Sequence, residues 1–380
     1  MGHLLPIRPD EEEDDAESWS LKKQALIQDA ARNLFNGGLE QRIQAARDIR
    51  KLARSSVRTR SSFAAAGVIP PLISMLNSSE IDAKEASLLA LLNLAVRNER
   101  NKVKIVKAGA VPPLIELLKL EDGGLRELAT AAVLTLSASP ANKPIITAAG
   151  AAPLLGRILN SGTVQGKVDA VTALYNLSTC TENQIPILDS GAVFPLISLL
   201  KECKKYSKFA EKTTALLESL SHTEEGIIAI ASSEGGILAL VETIEDGSLV
   251  STEHAVGALL ALCQSCREKY RELILQEGAI PGLLQLTVQG TAKAQHRARA
   301  LLELLRDTRE PKPLSSAEIE TIVYDIAARV DGAEKAAETA KRLLQDMVKR
   351  SMELSMSSIE QRAFSCTPSD SSSSSEMPSS

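Results

Sequence analysis

The side chains able to do covalent or metal chemistry are few and scattered. Four histidines, His3, His222, His254 and His296, share no metal or triad spacing. Of the five cysteines, Cys180, Cys203, Cys263, Cys266 and Cys366, only Cys263 and Cys266 form a C-x-x-C pair. A closed zinc site needs four ligands, and there is no second pair. Cys263 therefore reads as a small buried residue on a helix. The glycines form neither G-x-G-x-x-G nor G-x-x-x-x-G-K-[ST], and there is no G-x-S-x-G elbow. No catalytic residue, cofactor or metal is expected, and the chain does not read as an enzyme. What recurs, at intervals of 41 to 43 residues, is one position, held by Lys51, Asn93, Thr135, Asn176, Ser219, Ala261 and Glu303: asparagine at only two places, shorter hydroxyls at Thr135 and Ser219, and no bonding group at Ala261. An asparagine there offers one donor and one acceptor, which match one peptide unit of an extended ligand. Eight residues earlier stand Glu85, Glu127, Glu211 and Glu253, with Val168 and Gln295 interrupting the series.

These positions need elements that repeat with the same period. Six glycines open such a phrase: AGVIPPLI at Gly67, AGAVPPLI at Gly109, AGAAPLLG at Gly150, SGAVFPLI at Gly191, EGGILALV at Gly235 and EGAIPGLL at Gly278. Glycine stops one helix in the left-handed conformation, and proline opens the next. Leu72, Leu114, Leu155 and Leu196 then begin a buried stripe. A third marker, NERNK at 98–102, SPANK at 139–143 and TENQ at 181–184, places Asn101, Asn142 and Asn183 as N-caps of new helices. The unit is a short helix, a Gly-Pro corner, a second helix, a turn and a long third helix. Seven units are expected over 19–310. The first has lost its Gly-Pro phrase and reads as a cap.

The phrases resemble the armadillo family. The combination of GAV-x-PL, E-x₇-NL[AS] and the ENK turn is similar to the arrays of plant U-box/ARM proteins. The resemblance implies an all-α, right-handed superhelical solenoid of armadillo repeats, whose third helices line a concave groove that grips a segment of a partner protein. It also implies that the residues of the recurring positions, Asn93, Thr135, Asn176 and Ser219, line that groove; an offset of eight residues stays near the same helix face, so Glu85, Glu127, Glu211 and Glu253 are expected along its edge. The importin-alpha type of array has a Trp four residues before each Asn. Here those places hold Arg47, Leu89, Ala131, Thr172, Ala215, Gly257 and Arg299, so nuclear-import cargo is not expected. Nothing before residue 60 reads as the Cys-Pro-Ile opening of a U-box, so the resemblance carries over substrate-type binding rather than ligase activity.

Two readings of each series stand. The glutamates form either an acidic stripe favouring a basic partner segment or a solvated row favoured early in helices by the dipole. Asn93 and Asn176 either bind a ligand or bond to neighbouring backbone. At the level of function, a protein-interaction scaffold stands first. An accessory that presents substrates to a separate ubiquitin ligase is the alternative, and ligase components would then be among its partners. An unrecognised hydrolase or transferase has no residue to speak for it.

Composition sets further bounds. The chain has 380 residues, 44% hydrophobic and only 3% aromatic, which suits many closely packed short helices. The formal net charge of −5 argues against nucleic-acid binding. No apolar run approaches the ~20 residues of a membrane span, and the N-terminus lacks a signal core. Pro6 stands where a myristoylation site wants Ser or Thr. An odd number of irregularly spaced cysteines fits reduced thiols in cytoplasm or nucleus. The array is read as a monomer. Residues 1–18, with DEEEDD at 10–15, are expected to be a disordered acidic N-terminus ahead of the first helix. Residues 311–356 are expected to be capping helices, with a seam through Ala333, Ala337, Ala340, Leu344, Met347, Ser351 and Leu354. The Ser-rich tail from 357, with Thr367-Pro368, is expected to be disordered and open to phosphorylation.

Overall fold

A computed structural model describes residues 9–306, apart from 55 and 122, together with separate positions between 321 and 349. Side chains are described from Lys22 onward. The chain divides into two compact units, Met1–Arg306 and Asp307–Ser380. Each is described by itself.

The first unit is an all-α solenoid of seven repeats. Repeat 1 is a single long helix, Pro9–Asn36, followed by Leu39–Ala53. Repeat 2 comprises Val57–Ala65, Ile69–Met75 and Ile81–Ala95. Repeat 3 comprises Glu99–Lys107, Val111–Leu118 and Gly123–Ser137. Repeats 4 and 5 each begin with a single 3₁₀ turn, Pro140–Asn142 and Thr181–Asn183. Repeat 4 continues with Lys143–Ala148, Ala151–Ser161 and Val164–Ser178, and repeat 5 with Gln184–Asp189, Val193–Glu202 and Lys208–Leu220. Repeat 6 is Glu224–Ser232, Gly236–Asp246 and Leu249–Ser265; repeat 7 is Arg267–Gln276, Ala279–Gln289 and Ala292–Leu305.

The corner between first and second helices has the expected chemistry. All six recurring glycines have positive φ, from 70° to 92°. At Gly109 the turn is closed by two backbone bonds, Ala110 N–H to Ile105 O (3.3 Å) and Gly109 N–H to Val106 O (3.0 Å). Both satisfy carbonyls that the ending helix leaves open. A Cβ at Gly109 would meet nothing within 4 Å, so conformation rather than space demands glycine there.

Packing follows from the apolar stripes. Leu72, Leu114, Leu155 and Leu196 are all buried, and one core cluster runs from Ile27 to Leu305. Each fully buried leucine contributes about 1.5–3 kcal/mol. Alanine fills the facing positions of the long helices, with Ala90, Ala132, Ala173 and Ala258 buried. Without longer side chains between them, successive long helices approach closely and pack against one another through the whole array, whereas successive second helices touch much less.

Three expectations are corrected. The first helix begins at Pro9, so the acidic residues 10–15 form its opening turns rather than a disordered lead. Proline at the first helical position and carboxylates at the positive end of the helix dipole both favour that start. Asn101, Asn142 and Asn183 are not side-chain caps. Asn98 caps Glu99–Lys107, accepting from Asn101 N–H, and neither Asn142 nor Asn183 makes a cap bond. All three are almost fully buried and donate to carbonyls at the end of the preceding long helix, Leu94, Leu136 and Leu177, of which the last two also accept a backbone N–H, from Ser139 and Cys180. In the second unit, Val323, Ala327, Ala336 and Ala340 pack together; of the expected seam Ala340 is buried there, while Ala337 is exposed and Ala336 takes its place. Ala333, Leu344, Met347, Ser351, Leu354 and the tail from 357 lie outside the described residues.

Candidate functional site

The long helices present one face across all seven repeats, and the recurring positions lie on it. The structure divides them by what their side chains already hold. Asn93 is half-buried and its amide has no hydrogen-bond partner among the described residues. The half-buried leucines Leu89, Leu92, Leu128 and Leu134 lie on the same helices. Thr135 donates back to Ala131 O at 2.8 Å. Asn176 donates to Leu134 O (3.3 Å) and Ser137 Oγ (3.2 Å), and Ser219 to Ser178 O (3.2 Å). Those acceptors stand at the end of the preceding repeat's long helix, where carbonyls lack intrahelical donors. Asn176 and Ser219 thus join one repeat to the one before. Lys51 and Glu303 are exposed at the two ends, and Ala261 is half-buried.

The glutamate series joins repeats in the other direction. Glu127 accepts from Thr163 Oγ1, Glu211 from Ser248 Oγ (2.9 Å) and Glu253 from Thr291 Oγ1 (2.6 Å). Thr163, Ser248 and Thr291 are the N-caps of the next long helices, and each hydroxyl also accepts a backbone N–H, from Gly166, Ser251 and Ala294. One hydroxyl therefore links a carboxylate of one repeat to the positive end of the following helix. Glu211 also takes Lys208 Nζ at 2.8 Å, and Glu253 takes Lys293 Nζ at 3.3 Å. Burial pushes both carboxyls up, but these hydrogen bonds and cations outweigh it and hold them below the usual carboxylate range. Glu85 is exposed without a partner among the described residues.

Between repeats 5 and 7 lies a constellation that pattern reading missed. Glu218 Oε2 is 2.5 Å from His254 Nδ1, and Glu218 Oε1 pairs with Arg297 Nη2. Arg297 Nη1 also donates to Glu253 O at 2.8 Å. Glu218 and Arg297 expose only 10% and 16% of their side chains. Burial pushes the Glu218 carboxyl up, but the His254 hydrogen bond and the Arg297 charge hold it below the usual range. The pair crosses repeat 6 at Gly257, where a Cβ would stand 2.6 Å from Arg297 Nη1 and 2.7 Å from Glu218 Oε1. A glycine in mid-helix was the available signal: it leaves room for something to pass close by. Beside this pair opens a recess of about 480 Å³ lined by Tyr175, Ser219, His222, His254 and Lys293 among others.

The described residues hold no group of three or more His, Cys, Asp or Glu able to bind a metal ion. Cys263 is fully buried and Cys266 exposed, and burial pushes the Cys263 thiol up. No single helix among the described residues is long and apolar enough to cross a membrane.

Comparison with known proteins places this architecture. The family model described as the plant U-box protein ARM repeat region matches residues 153–323, and the armadillo/beta-catenin-like repeat matches 63–96. Two relatives from Arabidopsis thaliana are U-box domain-containing protein 17, 34% identical over 72% of this chain and 37% of its own length, and U-box domain-containing protein 45, 32% identical over 72% and 35%. The chain thus spans little more than a third of the length of these relatives. Among solved structures, an engineered protein aligns with a TM-score of 0.67 at 22% identity, covering 83% of this chain and 77% of that one. A designed armadillo repeat protein aligns with a TM-score of 0.50 at 20% identity, covering 74% of this chain and all of that one. With the αL-glycine corners, the stacked long helices and these matches in agreement, the chain belongs to the armadillo-repeat proteins, and its array is similar to the ARM regions of plant U-box proteins.

Proposed function

We propose that the chain is a protein-interaction scaffold that holds a segment of a partner protein across the long-helix face, with repeats 2 and 3 as its apolar anchor. The observation that carries this is Asn93. Its amide faces no partner among the described residues, while Asn176 and Ser219 donate to the repeat before them. On the same long helix and the next, Leu89, Leu92, Leu128 and Leu134 are half-buried, which leaves apolar surface for side chains flanking one bonded peptide unit. Thr135 contributes little, because its hydroxyl proton is spent on Ala131. Glu85 stands at the edge as a carboxylate without a partner among the described residues, for a basic residue of the segment, whereas Glu127, Glu211 and Glu253 serve the stacking of repeats.

The test is a paired capture from native extract with wild type, Asn93→Ala and Leu92→Arg. Proteins that bind the wild type and are lost from both variants, with helix content unchanged, support the reading. An unchanged set removes it. The similarity to U-box ARM regions favours a second reading, in which the scaffold presents substrates to a separate ubiquitin ligase. Co-purification of E2 or E3 components in the wild-type set, and their absence from the Leu92→Arg set, tests it.

A further inference from the structure

We infer that the recess over repeats 4 to 6 is a second subsite of the same face, built to receive an acidic side chain of the bound segment; this rests on the scaffold reading above. The inference comes from an imbalance between donors and acceptors. The acceptors of the recess wall are occupied from within. The carboxylate oxygens of Glu218 take His254 and Arg297, and its main-chain carbonyl takes His222 Nδ1 at 2.7 Å. The Ser178 carbonyl takes both Gln184 Nε2 (3.2 Å) and the Ser219 hydroxyl (3.2 Å), and Ser219 O takes Gln184 Nε2 (3.2 Å).

The donors are not used up. Lys212 Nζ lies 5.3 Å from the centre of the Tyr175 ring and makes no ion pair among the described residues. Tyr175 itself is half-buried, and its hydroxyl has no partner among the described residues. Lys293 is more than half exposed and shares Glu253 with Thr291, which leaves N–H donors over. The imidazoles of His222 and His254 line the recess, each with Nδ1 within hydrogen-bond distance of an oxygen of Glu218. Spare ammonium and hydroxyl donors around a wall of occupied acceptors favour an incoming acceptor, and a charged one above all. A carboxylate entering the recess meets Lys293 and Tyr175 in its lining, with the Lys212 ammonium over the Tyr175 ring. A lysine entering finds Glu218 already neutralised by Arg297.

The anchor and the recess then select a segment of defined pattern: apolar where it crosses repeats 2 and 3, acidic where it crosses repeats 4 to 6. The test uses short fluorescein-labelled peptides that alternate Glu with Gly, and counterparts with Gln or Lys in place of Glu, read by anisotropy. The Glu peptide is expected to bind at least tenfold tighter than the Gln peptide and to move the ring-proton NMR signals of His222 and His254 while leaving His3 in place. Lys212→Ala with Lys293→Ala is expected to cost tenfold or more, at unchanged helix content. A Glu peptide that binds no better than the Gln or Lys peptide, or that binds the double variant like wild type, overturns the subsite. The two readings fail separately. A captured partner lost from Leu92→Arg but kept by the lysine variant removes the acidic subsite alone, and one kept by Leu92→Arg removes the scaffold reading.

Discussion

Replacing Asn101 by alanine should destabilise the array far more than replacing Asn93, although both are asparagines of the same repeat markers. Asn101 is 1% exposed, and its Nδ2 donates to Leu94 O (2.9 Å) and Arg60 O (3.1 Å). Leu94 has no alternative donor in its own helix, because Asn98 N–H, which would reach it in a continuing helix, bonds instead to Ala95 O. The substitution removes two hydrogen bonds worth about 1 kcal/mol each, and leaves buried carbonyls whose desolvation costs about 1–3 kcal/mol. A loss of about 2–4 kcal/mol follows. Asn93 makes no hydrogen bond among the described residues, so its removal should stay within about 0.5 kcal/mol. Urea unfolding followed by circular dichroism gives the global comparison. A repeat array can open in parts, so hydrogen exchange at the amides of residues 94–107 gives the local one. An Asn101→Ala variant that exchanges and unfolds like wild type, or that is no weaker than Asn93→Ala, refutes the assignment of the buried asparagines as carbonyl donors.

Other outcomes follow from the same contacts. Gly257→Ala should destabilise, against the usual gain of about 1 kcal/mol for alanine in a helix interior, because the new methyl displaces the Glu218–Arg297 pair. In a Glu218→Gln/Arg297→Met background the same change should stabilise, which thermal melting of the four variants reads directly. Thr291→Ala and Ser248→Ala should each cost about 1–2 kcal/mol, more than Ser207→Ala, since the first two hydroxyls serve both a cap and a glutamate. Ser207 caps its helix, but Val168 stands at the corresponding glutamate place of the repeat before it. Glu211, Glu218 and Glu253 all titrate below the ordinary range in the folded chain, so the unfolded chain takes up their protons first as acid is added. Their contribution is complete above the unfolded value of about 4.3 and is lost as pH falls through the folded values. Melting temperature should hold from neutral pH to near that value and then drop, with a shallower drop in Glu211→Gln.

The repeat and its corners were legible because their signals are local. A glycine needing positive φ and a proline opening a helix mark the chain within a few residues, and all six recurring glycines take that φ. The roles of polar side chains were not legible in the same way. An asparagine just before a helix has the same type and place whether it caps that helix or reaches back to the carbonyls of the last one, and Asn101, Asn142 and Asn183 do the latter. Glutamate early in a helix likewise suits water, a ligand or the neighbouring cap. Only the stacking register brings Glu127, Glu211 and Glu253 to Thr163, Ser248 and Thr291. Asn176 and Asn93 have the same sequence context and different surroundings, because the Ser137 hydroxyl and the Leu134 carbonyl lie where Asn176 can reach them.

The pair that joins Glu218 to Arg297 skips a repeat. Units that touch only adjacent units come apart one at a time when pulled from an end, like links of equal strength. Here repeat 7 cannot leave without releasing a charge held by repeat 5, and repeat 6 is threaded beneath the tie at Gly257. Under mechanical load applied at residue 306, the last three repeats should yield as one event, and the repeats before them in smaller successive steps. The C-terminal portion of the array is in this sense a clasp, stiff under tension, behind a more pliant stretch where the free amide and the leucines lie.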